Sequence, residues 1–271
     1  LTEAAKTLHN PPDIYGITMR GKKGEEPPII AGGFTWAYGD HWFEGNARTP
    51  DEIKKNKALP TFNEPHFVAG VEKYVELLRK YGPSASAMYS WYEVCRDICA
   101  GKTAIAVDGD FVYWWGLLNA EFENPKEKLG IALAPIGPSG RRVQAWWDFS
   151  HCINADSKHP EAAFQVVQLL SSVQLAWELA KNGVAGIARM SVMQSDEFAE
   201  VFGKEAQRIY VAARALAEPE FMPVFPEYHQ VRDAFGTAVS EAIAGEKTVK
   251  QALDDAQKKA YDIMKRGGYY D

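Results

Sequence analysis

Thr103-Ala104-Ile105-Ala106-Val107-Asp108 reads as an apolar strand, and it stops at Gly109-Asp110-Phe111, just before Tyr113-Trp114-Trp115. A strand that ends in a glycine, a carboxylate and several rings presents those groups at its carboxyl end, where ligands of open α/β sheets bind. Rings cover C–H faces and polar groups take hydroxyls, so the pattern suits a neutral polyhydroxylated ligand. Upstream, Thr61-Phe62-Asn63-Glu64-Pro65 opens an amphipathic helix. Tyr89-Ser90-Trp91-Tyr92-Glu93 heads a second helix, which runs to about Ala100.

Ile14–Met19 reads as a buried strand closing at Arg20-Gly21, and 129–136 as a third strand closed by Gly137–Gly140. The helix over 63–81 carries Phe67, Val71, Tyr74, Val75 and Leu78 on one face, with Asn63 as its cap and Pro65 in its first turn. It is expected to pack on a sheet made of 14–19, 103–108 and 129–136. A short strand over 151–155 precedes a helix opened by Asp156-Ser157 and Pro160. A further short strand fits 186–192. Val231, Phe235, Val239 and Ile243 predict a helix ending at Gly245, and Thr248 caps a last one to about Arg266. Alternating strands and helices imply α/β layers with mainly parallel sheets.

The 271 residues suffice for one large or two ordinary domains. Net charge is −6 with acid and base interspersed and no basic stripe, which argues against nucleic acid as a partner. No apolar run approaches the roughly 18–20 residues of a membrane-spanning helix. Eight tryptophans are the outlier, and adjacent pairs at 114–115 and 146–147 stand out. Neighbours on a strand face opposite sides, so one ring of each such pair would look away from the core. Three cysteines, 95, 99 and 152, form no CxxC, which fits buried thiols better than a disulfide framework or a zinc site. The first residues, Leu1–Leu8, read as the middle of a helix, with no signal peptide or lipidation cysteine. A processed or fragmentary chain is expected.

Several enzyme signatures fail. Gly101-Lys102-Thr103 mimics the end of a phosphate loop, but position 96 is arginine and the element order is reversed. The six histidines have no paired spacing, so neither a metal nor a cofactor is expected. Asp110, Asp148 and Glu227 keep a carboxylate-pair hydrolase open as a competing reading.

The chain resembles the carboxyl-terminal two thirds of an extracellular solute-binding protein. The nearest group is the sugar- and polyol-binding receptors of ABC importers, distant relatives of the maltose-binding protein. The resemblance rests on Tyr15–Gly21, Leu59–Pro65, Tyr89–Trp91, Gly101–Gly109, Ile153–Ala163, Phe225–Tyr228 and Gln251–Gln257, in that order. It implies a two-lobed, periplasmic-binding-protein-like type II α/β fold with mainly parallel sheets. Residues 1–145 would form most of the second lobe, 146–195 would cross to the first, and 196–271 would return. Relatives carry a further N-terminal stretch that builds most of the first lobe. The first lobe would therefore be incomplete, and a complementary N-terminal chain segment, a partner subunit or a longer natural precursor is expected to cover Phe164, Val167, Leu170 and Leu175.

By the same resemblance the protein is no enzyme. It would bind a sugar or sugar alcohol between its lobes and hand it to the membrane permease subunits of an ABC importer. Its location would be periplasmic or extracellular, with lipid anchoring through the N-terminal stretch. A scaffold that kept the fold and lost the ligand is a third reading. The ligand residues implied are Arg20, Trp36, Asp110, Phe111, Trp146, Trp147, Asp148 and Arg232. Each has a plainer alternative: a helix-cap aspartate with a core phenylalanine at 110–111, a surface ion pair at Arg20, packing under a loop at Trp36, and a solvated helix face at Arg232.

Overall fold

A computed structural model describes residues 1–24, 26–39, 41–145, 150–182, 187–219 and 221–270. The first helices are α1 (Thr2–Leu8), α2 (Pro27–Tyr38), α3 (Pro50–Asn56), α4 (Pro65–Tyr81), α5 (Trp91–Cys99), α6 (Phe111–Asn119) and α7 (Pro125–Lys128). They are followed by α8 (Pro160–Leu170), α9 (Val173–Lys181), α10 (Met190–Met193), α11 (Asp196–Phe202), α12 (Lys204–Ala215), α13 (Tyr228–Ala244) and α14 (Val249–Arg266).

The helix α4 begins one residue later than its sequence suggests. Glu64 is the N-cap, and Pro65 occupies the first turn, where a missing N–H costs no helical bond. Asn63 does not cap; its side-chain amide donates to Asp254 at 3.3 Å and ties α4 to α14. The apolar face of α4 buries Phe67, Val71, Tyr74, Leu77 and Leu78. At Gly70 a Cβ would stand 2.7 Å from the Thr35 Cα, so glycine is what lets α2 cross α4 this closely.

The closing helices form as their sequence predicts. Val231, Phe235, Val239 and Ile243 are buried along α13. The helix stops at Gly245, left-handed at φ 79°, a conformation that costs glycine least. Thr248 and Gln251 then form a reciprocal capping box at the head of α14. Phe235 is the hub of the main core: its ring lies 5.2 Å from Phe62, 5.1 Å from Phe67 and 5.4 Å from Trp42. Such pairs contribute about 0.5–1.5 kcal/mol each beyond area burial.

Extended structure is sparser than the apolar runs suggest. Residues 14–19 and 103–108 do pair in parallel, through bridges Tyr15–Thr103 and Thr18–Ala106. The amide of Tyr15 donates to Lys102 at 2.9 Å, and that of Val107 donates to Thr18 at 3.1 Å. These contacts are isolated bridges, and no longer sheet is found among the described residues. The expected strand over 129–136 does not join them. Its end makes one antiparallel bridge, Ile136–Arg142, and Ile136 is 60% exposed. Apolar composition without a neighbouring ladder leaves backbone groups to other partners; here the Ala134 amide donates to the Gln144 side chain at 3.0 Å. Residues 151–155 form no strand either, and 190–192, expected to close a strand, lie in the helix Met190–Met193.

A second core gathers Tyr113, Ala180, Ile187, Val192, Phe198, Phe202 and Tyr210. The Tyr113 hydroxyl donates to the Phe202 carbonyl at 2.9 Å and fixes α6 on α11. Helix α8 presents its apolar side to solvent: Phe164 is 53% and Leu170 42% exposed. Val167 and Leu175 are half-buried.

Candidate ligand-binding site

The two paired segments end side by side, and this places Arg20 against Asp108. The Arg20 Nε and Nη2 donate to the two Asp108 oxygens at 2.7 and 2.6 Å, a bidentate fork. Nη1 donates to Glu26 at 3.0 Å. The Asp108 side chain has 0% exposure and also accepts the Gly109 amide at 2.6 Å. From behind, the buried Tyr74 hydroxyl donates to the Arg20 carbonyl and fixes the backbone on α4. Burial disfavours the guanidinium charge, but Asp108, aided by Glu26, holds the Arg20 pKa above its ordinary value. Burial likewise pushes the Tyr74 hydroxyl well up, and the Asp108 charge adds to it.

Aromatic rings flank this unit. The Phe111 ring centroid lies 5.9 Å from the Arg20 guanidinium carbon. Trp91 meets Phe111 edge-on at 6.0 Å and Trp115 at 5.8 Å. Trp91 remains 37% and Tyr92 53% exposed. The local causes are two helix starts. Ser90 and Glu93 form a capping box that fixes Trp91 in the first turn of α5. Asp110 stands at the N-cap of α6 with no side-chain cap bond, leaving its carboxylate for another partner. That partner is Arg214 on α12, at 3.2 Å. The Tyr210 hydroxyl also reaches the Asp110 carbonyl, at 3.4 Å. Loss of solvation raises the Asp110 carboxyl above its ordinary range, against the opposing pull of Arg214.

Of the residues singled out in the sequence, Arg20, Asp110 and Phe111 are thus brought together. Trp36 is 2% exposed and sits in a separate cluster with Val143 and Phe221. Its ring stands edge-on to His41 at 4.1 Å. Arg232 is 5% exposed on α13, its guanidinium 5.9 Å from the Tyr228 ring. Trp146, Trp147 and Asp148 lie outside the described residues. Asp108, Glu26 and Arg214 complete the cluster and were missed, and Trp91 and Trp115, though part of the aromatic pattern, were not assigned to the ligand. Asp108 carried a signal, as the last residue of the strand-like run; Arg214 carried none.

The remaining described surface offers less chemistry. Grooves of about 370 and 300 Å³ lie along α13–α14 and beside Tyr269–Tyr270, and neither shares a lining residue with the Arg20 cluster. No group of three metal-ligating side chains is found among the described residues. A buried arginine locked by a carboxylate, with ring faces beside it, can hold hydroxyls and cover carbon. Among the described residues the cluster presents no activated nucleophile. Asp110 pairs with Arg214, and Glu227, the other described carboxylate of the hydrolase reading, accepts the Tyr269 hydroxyl at 2.8 Å.

A sequence family described as bacterial extracellular solute-binding protein matches residues 1–176. A mannitol-binding protein of Pseudomonas aeruginosa is 25% identical over 290 residues, covering 99% of this chain and 62% of its own length. The ABC transporter solute-binding protein of Agrobacterium vitis, solved with bound D-mannitol, superposes with a TM-score of 0.83 at 26% identity. That match covers 98% of this chain and 65% of the other. A solute-binding protein of Agrobacterium radiobacter, in complex with ribitol, gives 0.83 at 24% identity over 97% of this chain and 63% of the other. The chain therefore spans somewhat under two thirds of the relatives it matches.

Proposed function

The chain belongs to the bacterial extracellular solute-binding protein family, and on that premise we propose that it binds a sugar or sugar alcohol and delivers it to an ABC importer. The observation that carries this reading is the Arg20–Asp108 fork beside the rings of Phe111 and Trp91. Hydroxyls of the ligand would hydrogen-bond to Arg20 and Asp110, while the rings cover its C–H faces. No bond is made or broken.

Residues 1–145 with 196–271 would form one lobe and 146–195 a crossing to the other. Trp146, Trp147 and Asp148 would then face the ligand at the crossing, and Trp36 and Arg232 would support the cleft from the lobe already described. Hinge closure of the lobes would enclose the ligand. Delivery implies permease subunits as partners and a periplasmic or extracellular location, with a lipid anchor on the N-terminal side. A complementary segment that covers α8 belongs to the same proposal; exposed Phe164 and Leu170 support it.

A thermal-shift screen of monosaccharides, disaccharides and alditols tests the reading. A ligand at a hundredfold excess over its Kd adds about 2.7 kcal/mol to apparent stability. A shift by at least one neutral sugar or alditol is expected. A flat response across the whole panel would overturn the proposal.

A further inference from the structure

We propose that Glu26 makes the Arg20 site a filter by charge, which admits neutral polyols and rejects polyol acids. The inference rests on the binding function proposed above. A free guanidinium is the usual partner of a carboxylate or phosphate, because its planar fork matches two oxygens. Arg20 alone would therefore suggest an anionic ligand. Three of its five N–H donors are already taken by carboxylates, however. Nε and Nη2 are bound to Asp108 and Nη1 to Glu26, so one cation faces two carboxylates.

The two carboxylates do different work. Asp108 is fully buried and also accepts the Gly109 amide, so it holds the backbone and Arg20 together. It is enough by itself to balance the guanidinium. Glu26 is the surplus charge: its side chain is 31% exposed, at the edge of the cluster. It stands at the N-cap of α2 yet makes no side-chain cap bond. Its carboxylate is thus committed to Arg20 and not to the backbone amides of the helix. The neighbouring Asp110 is paired with Arg214. Among the described residues, an anion beside Phe111 would meet a unit in which two carboxylates share one guanidinium. A hydroxyl would not be repelled there, since it can donate to a carboxylate oxygen and accept from a guanidinium N–H. Specificity of this kind comes from repulsion of the wrong ligand.

The test compares D-mannitol with D-mannonate, which carries a carboxylate in place of one terminal hydroxymethyl group. Both are titrated calorimetrically into the full chain, into Glu26→Gln and into Glu205→Gln. Glu205 pairs with Arg208 on an exposed face of α12, so its substitution changes net charge away from the site. The unsubstituted chain is expected to prefer mannitol. Glu26→Gln should narrow that preference about tenfold, as loss of one nearby charge implies. Glu205→Gln should leave the ratio unchanged.

A salt series on the unsubstituted chain gives a second readout that needs no variant. Because Glu26 is partly exposed, the ratio should narrow as ionic strength rises. Equal binding of mannitol and mannonate by the unsubstituted chain would overturn the filter. So would a ratio that Glu26→Gln and salt both leave in place. Binding of neither ligand would also overturn the filter, while only a flat response across the whole panel of sugars and alditols would overturn the sugar-binding reading.

Discussion

Asp108 accepts both hydrogen bonds of the Arg20 fork, at 2.7 and 2.6 Å, with its side chain wholly out of solvent. The pair joins the ends of two backbone segments that are otherwise held by a few parallel bridges. Removing Asp108 leaves the buried guanidinium with only the partly exposed Glu26, so the cost approaches the roughly 3–5 kcal/mol of breaking a buried pair. Asp108→Ala should lower the unfolding free energy by about that amount in denaturant titrations. A loss no larger than that of a surface substitution would show that the pair does not organise this corner.

Helix crossing at Gly70 gives a second expectation. A Cβ there would meet the Thr35 Cα at 2.7 Å, a contact with backbone that a side-chain rotation cannot relieve. Gly70→Ala should therefore destabilise by about 1–3 kcal/mol, despite the better helix propensity of alanine. Thermal unfolding measures it. A stabilised variant would mean that α2 and α4 lie further apart than described.

The thiols supply a third. Cys95 and Cys99 are buried and Cys152 is exposed. Burial pushes the Cys95 thiol up to about 12, with the Asp108 charge adding to the effect. A chromogenic thiol reagent at neutral pH should react quickly with Cys152 alone and reach the other two only on unfolding. The linkage has a definite sign. The folded-state pKa is above the unfolded one, so this contribution is fully present below about pH 9. It is lost as pH rises from there through about 12. Stability that stayed level across that interval, or fast reaction of all three thiols in the folded chain, would contradict the packing of α5.

The sequence made some of this legible and hid the rest. Local patterns were enough for α4, α13 and α14, because an apolar face with a period of 3.6 and a capping residue act within a few turns. Arg20 and Phe111 were readable because each follows an apolar run that ends. Arg214 was not: it reaches Asp110 across 104 positions of chain, and no local spacing encodes such a contact. The strand expected over 129–136 failed for a related reason. Its composition is apolar, but a strand also needs a neighbour to take its backbone bonds, and the described residues there make a single bridge at Ile136. Trp36 shows the converse. An aromatic near a cleft sequence and an aromatic under a loop look alike in composition; the described ring is packed on Phe221 at 5.3 Å.

Calorimetric titration of D-mannitol into the unsubstituted chain and into Phe111→Ala decides whether a neutral polyol binds where Arg20 meets Phe111. Loss of a ring that covers the ligand should weaken binding by about 1–3 kcal/mol, while the unfolding midpoint changes little because Phe111 is only half-buried. Mannitol bound with equal affinity by both chains would place the site elsewhere and contradict the account.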